Sequence, residues 1–253
     1  VSVSAEGPSA SGRLHESTLD AIGSAIVRGE LPPGIPLTIE QLEQRYGVSR
    51  SVIRDCLRSL QTMNLVQSKP RVGVTPRPAS EWNVYEPKVI RWRLDSNDRA
   101  HQLRTLTQLR AAVEPQAAGL AAANISPQSA SELNGIAGEM WAAGRSGDAE
   151  RFLALDIRFH QLILQLSGNE MFSHLHAVVS EVLTGRTAHG LMPAHPHPDA
   201  LQQHLDVAEA VGSGNQQAAI DAMQRLMNRT LTEMLRRAAE EQPATASSPQ
   251  PPQ

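Results

Sequence analysis

Apolar residues recur along this chain at helical spacing, and strand-like alternation is confined to one short stretch. Leu19, Ile22 and Ile26 predict a first helix over about 14–28, stopped by "ELPPG". Thr38 and Gln41 have the spacing of a capping box, which opens a short helix reaching about Tyr46. "YGVS" makes a turn, and Ser49 is placed to cap the next helix. That helix runs to about Met63 with Ile53, Cys56, Leu57 and Leu60 on its buried face. Asn64 stands where a left-handed residue closes a helix, and "LVQSKPRVGVTP" reads as two short strands around a Pro-containing turn. Further helical windows follow at about 98–123, 126–145, 148–167, 170–188, 199–213 and 215–240, separated by Gly- and Pro-rich breaks.

The order gives a mainly α fold in two parts. A winged helix-turn-helix domain over 13–77 is followed by an all-helical antiparallel bundle of about six to seven helices over 98–241. Residues 78–97, with Trp82 and Trp92, read as a linker, and the small polar ends 1–12 and 242–253 read as disordered.

Several of the bundle's apolar stripes carry polar residues. In "ERFLALDIRFHQLILQLSG", Asp156 and His160 sit one turn apart among Phe152, Leu155, Phe159 and Ile163. Arg110 lies within the stripe Leu106, Leu109, Val113, Ala117 and Leu120, with Glu114 one turn on, and His204 is flanked by Leu201, Leu205 and Ala208. An unpaired charge inside a bundle costs several kcal/mol, so these groups need partners. Each one alone fits a hydrogen-bonded core role; together they point to helices surrounding a polar pocket. Asp156 and His160 at i, i+4 suit two ligands of one metal, and His204 supplies a candidate third.

Composition adds constraints. Only 3% of the residues are aromatic, which favours helices packed by aliphatic side chains. The single cysteine, Cys56, excludes an intramolecular disulfide and fits a reducing, cytoplasmic setting. No apolar run is long enough for a membrane span, and no signal peptide is visible. The net charge is −3, yet residues 45–77 hold seven basic residues against one acid, Asp55. A basic block on an acidic chain is an electrostatic footprint for phosphates. Arg50, Arg54 and Arg58 form one exposed stripe on the second helix of the helix-turn-helix, with Ser49 and Ser51 at its N-terminal end. Arginine bonds guanine bidentately or neutralises phosphate, so the residue type suits either role. Arg45, and Lys69 and Arg71 in the wing turn, add charge, and Gly73 would allow close backbone approach to DNA.

At these residues the chain resembles a family. "LPPGIPLTIEQLEQRYGVSRSVIRDCLRSLQTMNLVQSKPRVGV" is similar to the DNA-binding domain of GntR-superfamily transcription regulators, with Asp55, Cys56 and Asn64 as mild departures. "LRAAVEPQAAGLAA", "DIRFHQLILQLSGN" and "HLDVAEAV" resemble the FCD effector domain of its FadR subgroup. That resemblance implies a homodimer and double-stranded operator DNA, with Arg50 and Arg54 contacting the duplex. It also implies repression relieved by a small organic acid and one divalent metal (Zn, Ni or Mn) on Asp156, His160 and His204. A fourth histidine usual in the family is replaced by Leu226, so the ligand set is incomplete. By the same resemblance Arg110 meets an effector carboxylate and Asn169 lies at the pocket edge, while Glu114 and Arg186 are further effector-site candidates. "EWNVYEPKVIRWRL", with the missing histidine, resembles the branch containing galactonate-operon repressors, which implies a sugar acid.

The expected function is therefore a ligand-responsive repressor released from a pseudo-palindromic operator. One rival is a metal-dependent enzyme that uses Asp156, His160 and His204, with the N-terminal domain as an accessory. No HExxH, GxSxG or phosphate-binding Gly loop supports it. Another is a dimerisation module alone, which leaves the polar cluster unexplained. The Pro-rich "HGLMPAHPHP" reads as a solvated connection between helices.

Overall fold

The computed structural model describes residues 10–69, 73–192 and 195–241. The chain divides into two compact units, Val1–Arg99 and Ala100–Gln253. No described helix is long and apolar enough to cross a membrane.

The first unit is a winged helix-turn-helix. Its elements are α1 (Ala10–Val27), α2 (Ile39–Tyr46), α3 (Arg50–Thr62), β1 (Val66–Lys69), β2 (Gly73–Pro76) and α4 (Pro87–Leu94). α1 begins at Ala10, so residues 10–12 are helical rather than part of a disordered end. The rest of that end, 1–9, and the tail 242–253 lie outside the described residues. The capping box opens α2: Thr38 Oγ1 accepts from the Gln41 N–H at 3.1 Å, and Gln41 Oε1 accepts from the Thr38 N–H at 2.8 Å. Gly47 closes α2 at φ 66°, and Asn64 ends the α3 segment at φ 59°, the left-handed region an asparagine tolerates. Ser49 takes the N-cap position of α3, but its hydroxyl bonds Ser51 Oγ at 2.9 Å instead of the helix backbone.

β1 and β2 pair antiparallel from Val66 opposite Pro76 to Lys69 opposite Gly73, and Leu37 extends the ladder through Val74. Leu19, Ile22, Leu42, Ile53, Leu60 and Leu65 form the core beneath them.

Residues 78–97, expected as a linker, contain regular structure. They hold a short 3₁₀ turn (Ala79–Glu81) and α4, which packs on α1. Trp92 fills a notch that exists only because position 23 is glycine: a Cβ there would lie 2.3 Å from the indole ring. The Trp92 Nε1–H donates to Asp20 Oδ1 at 3.2 Å, and Lys88 pairs with both Glu16 and Asp20.

The second unit is a helical bundle built from α5 (Arg99–Asn124), α6 (Pro127–Ser146), α7 (Ala149–Leu166), α8 (Glu170–His174), α9 (His176–Ala188), α10 (Pro198–Gly212) and α11 (Gln216–Glu241). The window expected as one helix over 170–188 is two, interrupted at Leu175. α6 packs on α7 and α10 on α11 across very short connections, so each pair runs antiparallel. Small residues permit the closest approaches. At Gly144 an added Cβ would meet Leu201 at 2.6 Å, and at Gly119 it would meet Ile220 at 2.7 Å. Leu133, Met140, Phe159, Ile163, Val207 and Met223 lie at the centre of the core. Leu120, expected on the buried stripe of α5, is exposed; Ala117 of that stripe is buried, together with Ala118, Ala121 and Ala122.

Candidate functional site

Within the bundle, polar side chains from several helices do converge. α7 supplies Asp156 and His160, α10 supplies His204, α5 supplies Arg110 and α9 supplies Arg186; all line one cavity of about 530 Å³. That lies within the ~300–1,000 Å³ typical of small-molecule sites. Each of these five residues is at most 6% exposed, so each must find compensation inside the protein.

Glu114 provides part of it from behind. Arg110 Nε donates to Glu114 Oε1 at 2.5 Å, and Glu114 Oε2 lies 2.5 Å from His160 Nδ1. The second contact has the distance of an ion pair but not the alignment of a hydrogen bond. Burial pushes the Glu114 carboxyl up, but the charges of Arg110 and His160 outweigh it and hold the group at about 2. Burial likewise disfavours charge on His160, yet Glu114 raises its pKa above the ordinary histidine value. Glu114 is thus absent from the large cavity's wall and is not an effector contact there. It anchors Arg110 and His160 by charge.

His160 Nε2 and His204 Nε2 lie 3.2 and 3.4 Å from Asp156 Oδ1, and that oxygen has no aligned hydrogen-bond partner. His204 directs its Nδ1 to the Ala200 carbonyl at 2.8 Å, which leaves Nε2 free to face Asp156. Two donors at ~2.0–2.1 Å from a metal in tetrahedral geometry are about 3.3–3.4 Å apart. The orphaned carboxylate oxygen and the donor spacing therefore fit a divalent ion, and Asp156, His160 and His204 form a group able to hold one. Burial raises the Asp156 carboxyl, but His160 and His204 overcome that and keep it ionised, well below the usual range. Leu226 of α11 lines the same cavity and offers no donor.

Two expected site residues are placed differently. Asn169 is not on the cavity wall; its side chain caps α8, accepting from the Met171 N–H at 2.9 Å and the Phe172 N–H at 3.3 Å. "HGLMPAHPHP" is not simply a solvated connection, because Met192, Pro196 and His197 line the cavity. Sequence reasoning missed Arg229 and Thr230, which also line it. Their signal was Leu226: residues three and four positions on share its helix face.

In the N-terminal unit, the basic residues of α2 and α3 stand on the surface. Arg50 Nη1 is 2.7 Å from Glu40 Oε1, Arg45 Nη2 is 3.0 Å from Glu30 Oε2, and Arg58 Nη1 is 2.6 Å from Asp55 Oδ1. Exposed pairs of this kind contribute only about 0–1 kcal/mol, so a phosphate can displace them. Arg54 is exposed and has no ion-pair or hydrogen-bond partner among the described residues. The Lys69 side chain and Arg71 fall outside the described residues. Gly73 has an internal reason: its φ is 104°, and a Cβ would lie 2.7 Å from the Leu37 carbonyl oxygen. Closing the wing by itself requires glycine there.

Comparison with known proteins matches residues 14–75 to the bacterial regulatory proteins of the gntR family and residues 105–229 to the FCD domain. The chain is 28% identical over 205 residues to the galactonate operon transcriptional repressor of Escherichia coli K12, covering 79% of this chain and 89% of that one. It is 25% identical over 205 residues to a probable D-xylose utilization operon transcriptional repressor of Paenarthrobacter nicotinovorans, covering 81% of each. Among solved structures, E. coli McbR/YncC shares the fold at a TM-score of 0.52 and 17% identity, over 89% of this chain and 98% of that one.

Proposed function

The chain belongs to the GntR family of bacterial regulatory proteins and carries an FCD domain, and from that premise we propose that it is a dimeric repressor of a catabolic operon, released from a pseudo-palindromic operator when a small carboxylate fills the bundle cavity. The observation that carries this reading is the convergence of Arg110, Arg186 and the Asp156–His160–His204 group on one cavity. A chamber lined by guanidiniums and histidines suits an acid with further polar groups. The relative named for a galactonate operon favours a sugar acid.

Asp156, His160 and His204 would hold one divalent ion, and two imidazoles with a carboxylate suit Zn, Ni or Mn. When bound, the ion supplies fixed positive charge toward which a carboxylate is drawn. Arg110 contributes directional bonds: its Nη1 is buried, lacks a hydrogen-bond partner and sits on a residue of the cavity wall. In the other unit, Arg50 and Arg54 contact the operator, with Ser49, Ser51, Arg45, Arg58 and the wing residues Lys69 and Arg71 in support. Acid binding and operator binding weaken each other by the same factor, as linkage requires.

The enzyme reading fails on family and on geometry. Both matched families are of transcription regulators. Glu114, the acid with the best claim to act as a general base, stands off the cavity wall, and Arg110 and His160 hold its carboxyl at about 2, too weak a base to take a proton there.

A thermal-shift screen of sugar acids and hydroxy acids tests the proposal. At least one acid is expected to raise the Tm of the wild type, by linkage to binding of the native state. The same acid is expected to leave Arg110→Ala unshifted relative to that variant's own baseline, while the variant still binds DNA. An undiminished shift in Arg110→Ala would remove Arg110 from the site.

A further inference from the structure

The walls of the cavity differ in hydrogen-bonding sense. Arg110 and Arg186 are buried parts of its lining, and a guanidinium only donates. The stretch of α11 that borders the same space is different. It begins at the buried Leu226 and continues through Thr230 to Glu233, both half-buried, so it climbs from the core toward the opening. At about 1.5 Å per residue, Leu226 to Glu233 covers about 10 Å of helix. Thr230 Oγ1 gives its hydrogen to the Leu226 carbonyl at 3.1 Å, so it has only lone pairs left for a ligand. The Glu233 carboxylate likewise accepts and does not donate. Thr230 and Glu233 are three residues apart, which makes them neighbours on the helix surface at about 5–6 Å between Cβ atoms. Arg229, the cation of this stretch, is turned toward the start of α10, where its Nη1 lies 3.7 Å from Asp199 Oδ2.

We infer that Glu233, with Thr230, decides which acids the cavity admits: a monocarboxylate carrying a chain of hydroxyls, an aldonic acid, is accepted, and an acid with a carboxylate at both ends is refused. The inference rests on the proposed reading of the cavity as an acid-sensing site and assigns the far end of the ligand. The ligand's carboxylate meets the unpartnered Nη1 of Arg110. Its hydroxyls donate to Thr230 and Glu233, and two acceptors one turn apart suit neighbouring hydroxyls of a polyol chain. A second carboxylate has no hydrogen to give them and sets like charge against Glu233, which costs binding. A chain without hydroxyls strips water from both acceptors and returns nothing, so it binds poorly as well. Selectivity thus comes from repulsion of the wrong ligand together with attraction for the right one. Glu233 is the specificity-determining residue, because it alone combines an acceptor with a negative charge on the α11 wall.

Calorimetric titration of the full-length chain tests this. The probes are galactonate and gluconate, each set against its dicarboxylate counterpart, galactarate or glucarate, which carries a carboxylate in place of the terminal CH2OH. At least one aldonate is expected to bind, with its dicarboxylate weaker by about tenfold or more, the effect of an opposed like charge. Glu233→Gln keeps the shape and removes the charge, and is expected to bring the dicarboxylate to within about threefold of the aldonate. Glu233→Ala removes the acceptor too, and is expected to narrow the ratio while also weakening the aldonate. A dicarboxylate that binds the wild type as tightly as its aldonate overturns the inference, spares the acid-sensing reading and points to Arg229 as the partner of the second carboxylate. A ratio unchanged in Glu233→Gln overturns it as well. Binding of neither kind of acid also overturns it, and the thermal-shift screen then shows whether the acid-sensing reading survives. The wild-type pairs remain decisive against the inference even if a variant folds poorly.

Discussion

Glu114→Ala is expected to cost the bundle about 3–5 kcal/mol of stability, the usual result of removing one partner from a buried ion pair. The carboxylate is 1% exposed and is the charge shared by Arg110 and His160. Without it, a guanidinium that is 2% exposed loses its hydrogen-bonded counter-ion, and His160 loses the charge that contributes most to raising its pKa. Whole domains are stable by only about 5–15 kcal/mol, so the loss is a large share of the total. Urea unfolding should show a lower midpoint at unchanged slope. Glu114→Gln, which keeps the volume and removes the charge, should fall nearly as far. The double variant Arg110→Met/Glu114→Leu should recover most of the loss, because replacing both charges by apolar groups removes the desolvation cost together with the attraction. A change below about 1 kcal/mol in Glu114→Ala would mean that the buried network is not the structural centre described above.

The second large effect belongs to the DNA-binding unit. Arg54→Ala is expected to weaken operator binding by about 1–3 kcal/mol, roughly 5–150-fold, and to leave acid binding intact. Arg54 is the member of the α3 stripe that is exposed and without an ion-pair partner among the described residues, whereas Arg50 is held by Glu40 and Arg58 by Asp55. It can therefore meet the duplex without first giving up a bond. If it reads a guanine, the loss will be concentrated at one base pair; if it meets a phosphate, the loss will be uniform and the salt slope will fall by about one. Titrations at several salt concentrations, read by fluorescence anisotropy, separate the two. Wild-type affinity in Arg54→Ala would contradict the placement of α3 at the DNA.

Much of this architecture is visible in the residues. Periodicity gives the helices because burial on one face leaves a repeat, and Thr38 with Gln41 marks an N-terminus because its two bonds are local. Asp156, His160 and His204 are conspicuous for the opposite reason: they interrupt an apolar stripe at a cost that needs compensation. What periodicity cannot record is which polar atom faces which. Arg110 and Glu114 look equivalent in sequence, yet one borders the cavity and the other stands behind it. Asn169 follows Gly168 in a pattern shared by pocket edges and helix caps, and only the bond to the Met171 N–H decides between them. The segment 78–97 looks like a linker because its prolines and tryptophans carry no clear period. The missing cue was Gly23, far away in sequence, where the absent Cβ admits Trp92.

On the proposed reading, occupancy of the bundle cavity governs operator affinity. Its most direct test is the release of a labelled pseudo-palindromic DNA fragment, selected by repeated rounds of binding, as the acid that most raises the Tm is titrated in. The wild type is expected to let go of the DNA as the acid saturates, with anisotropy falling to that of free DNA, while Arg110→Ala stays bound. Wild-type complexes that persist at saturating acid, or Arg110→Ala complexes released at the same concentration, would contradict it.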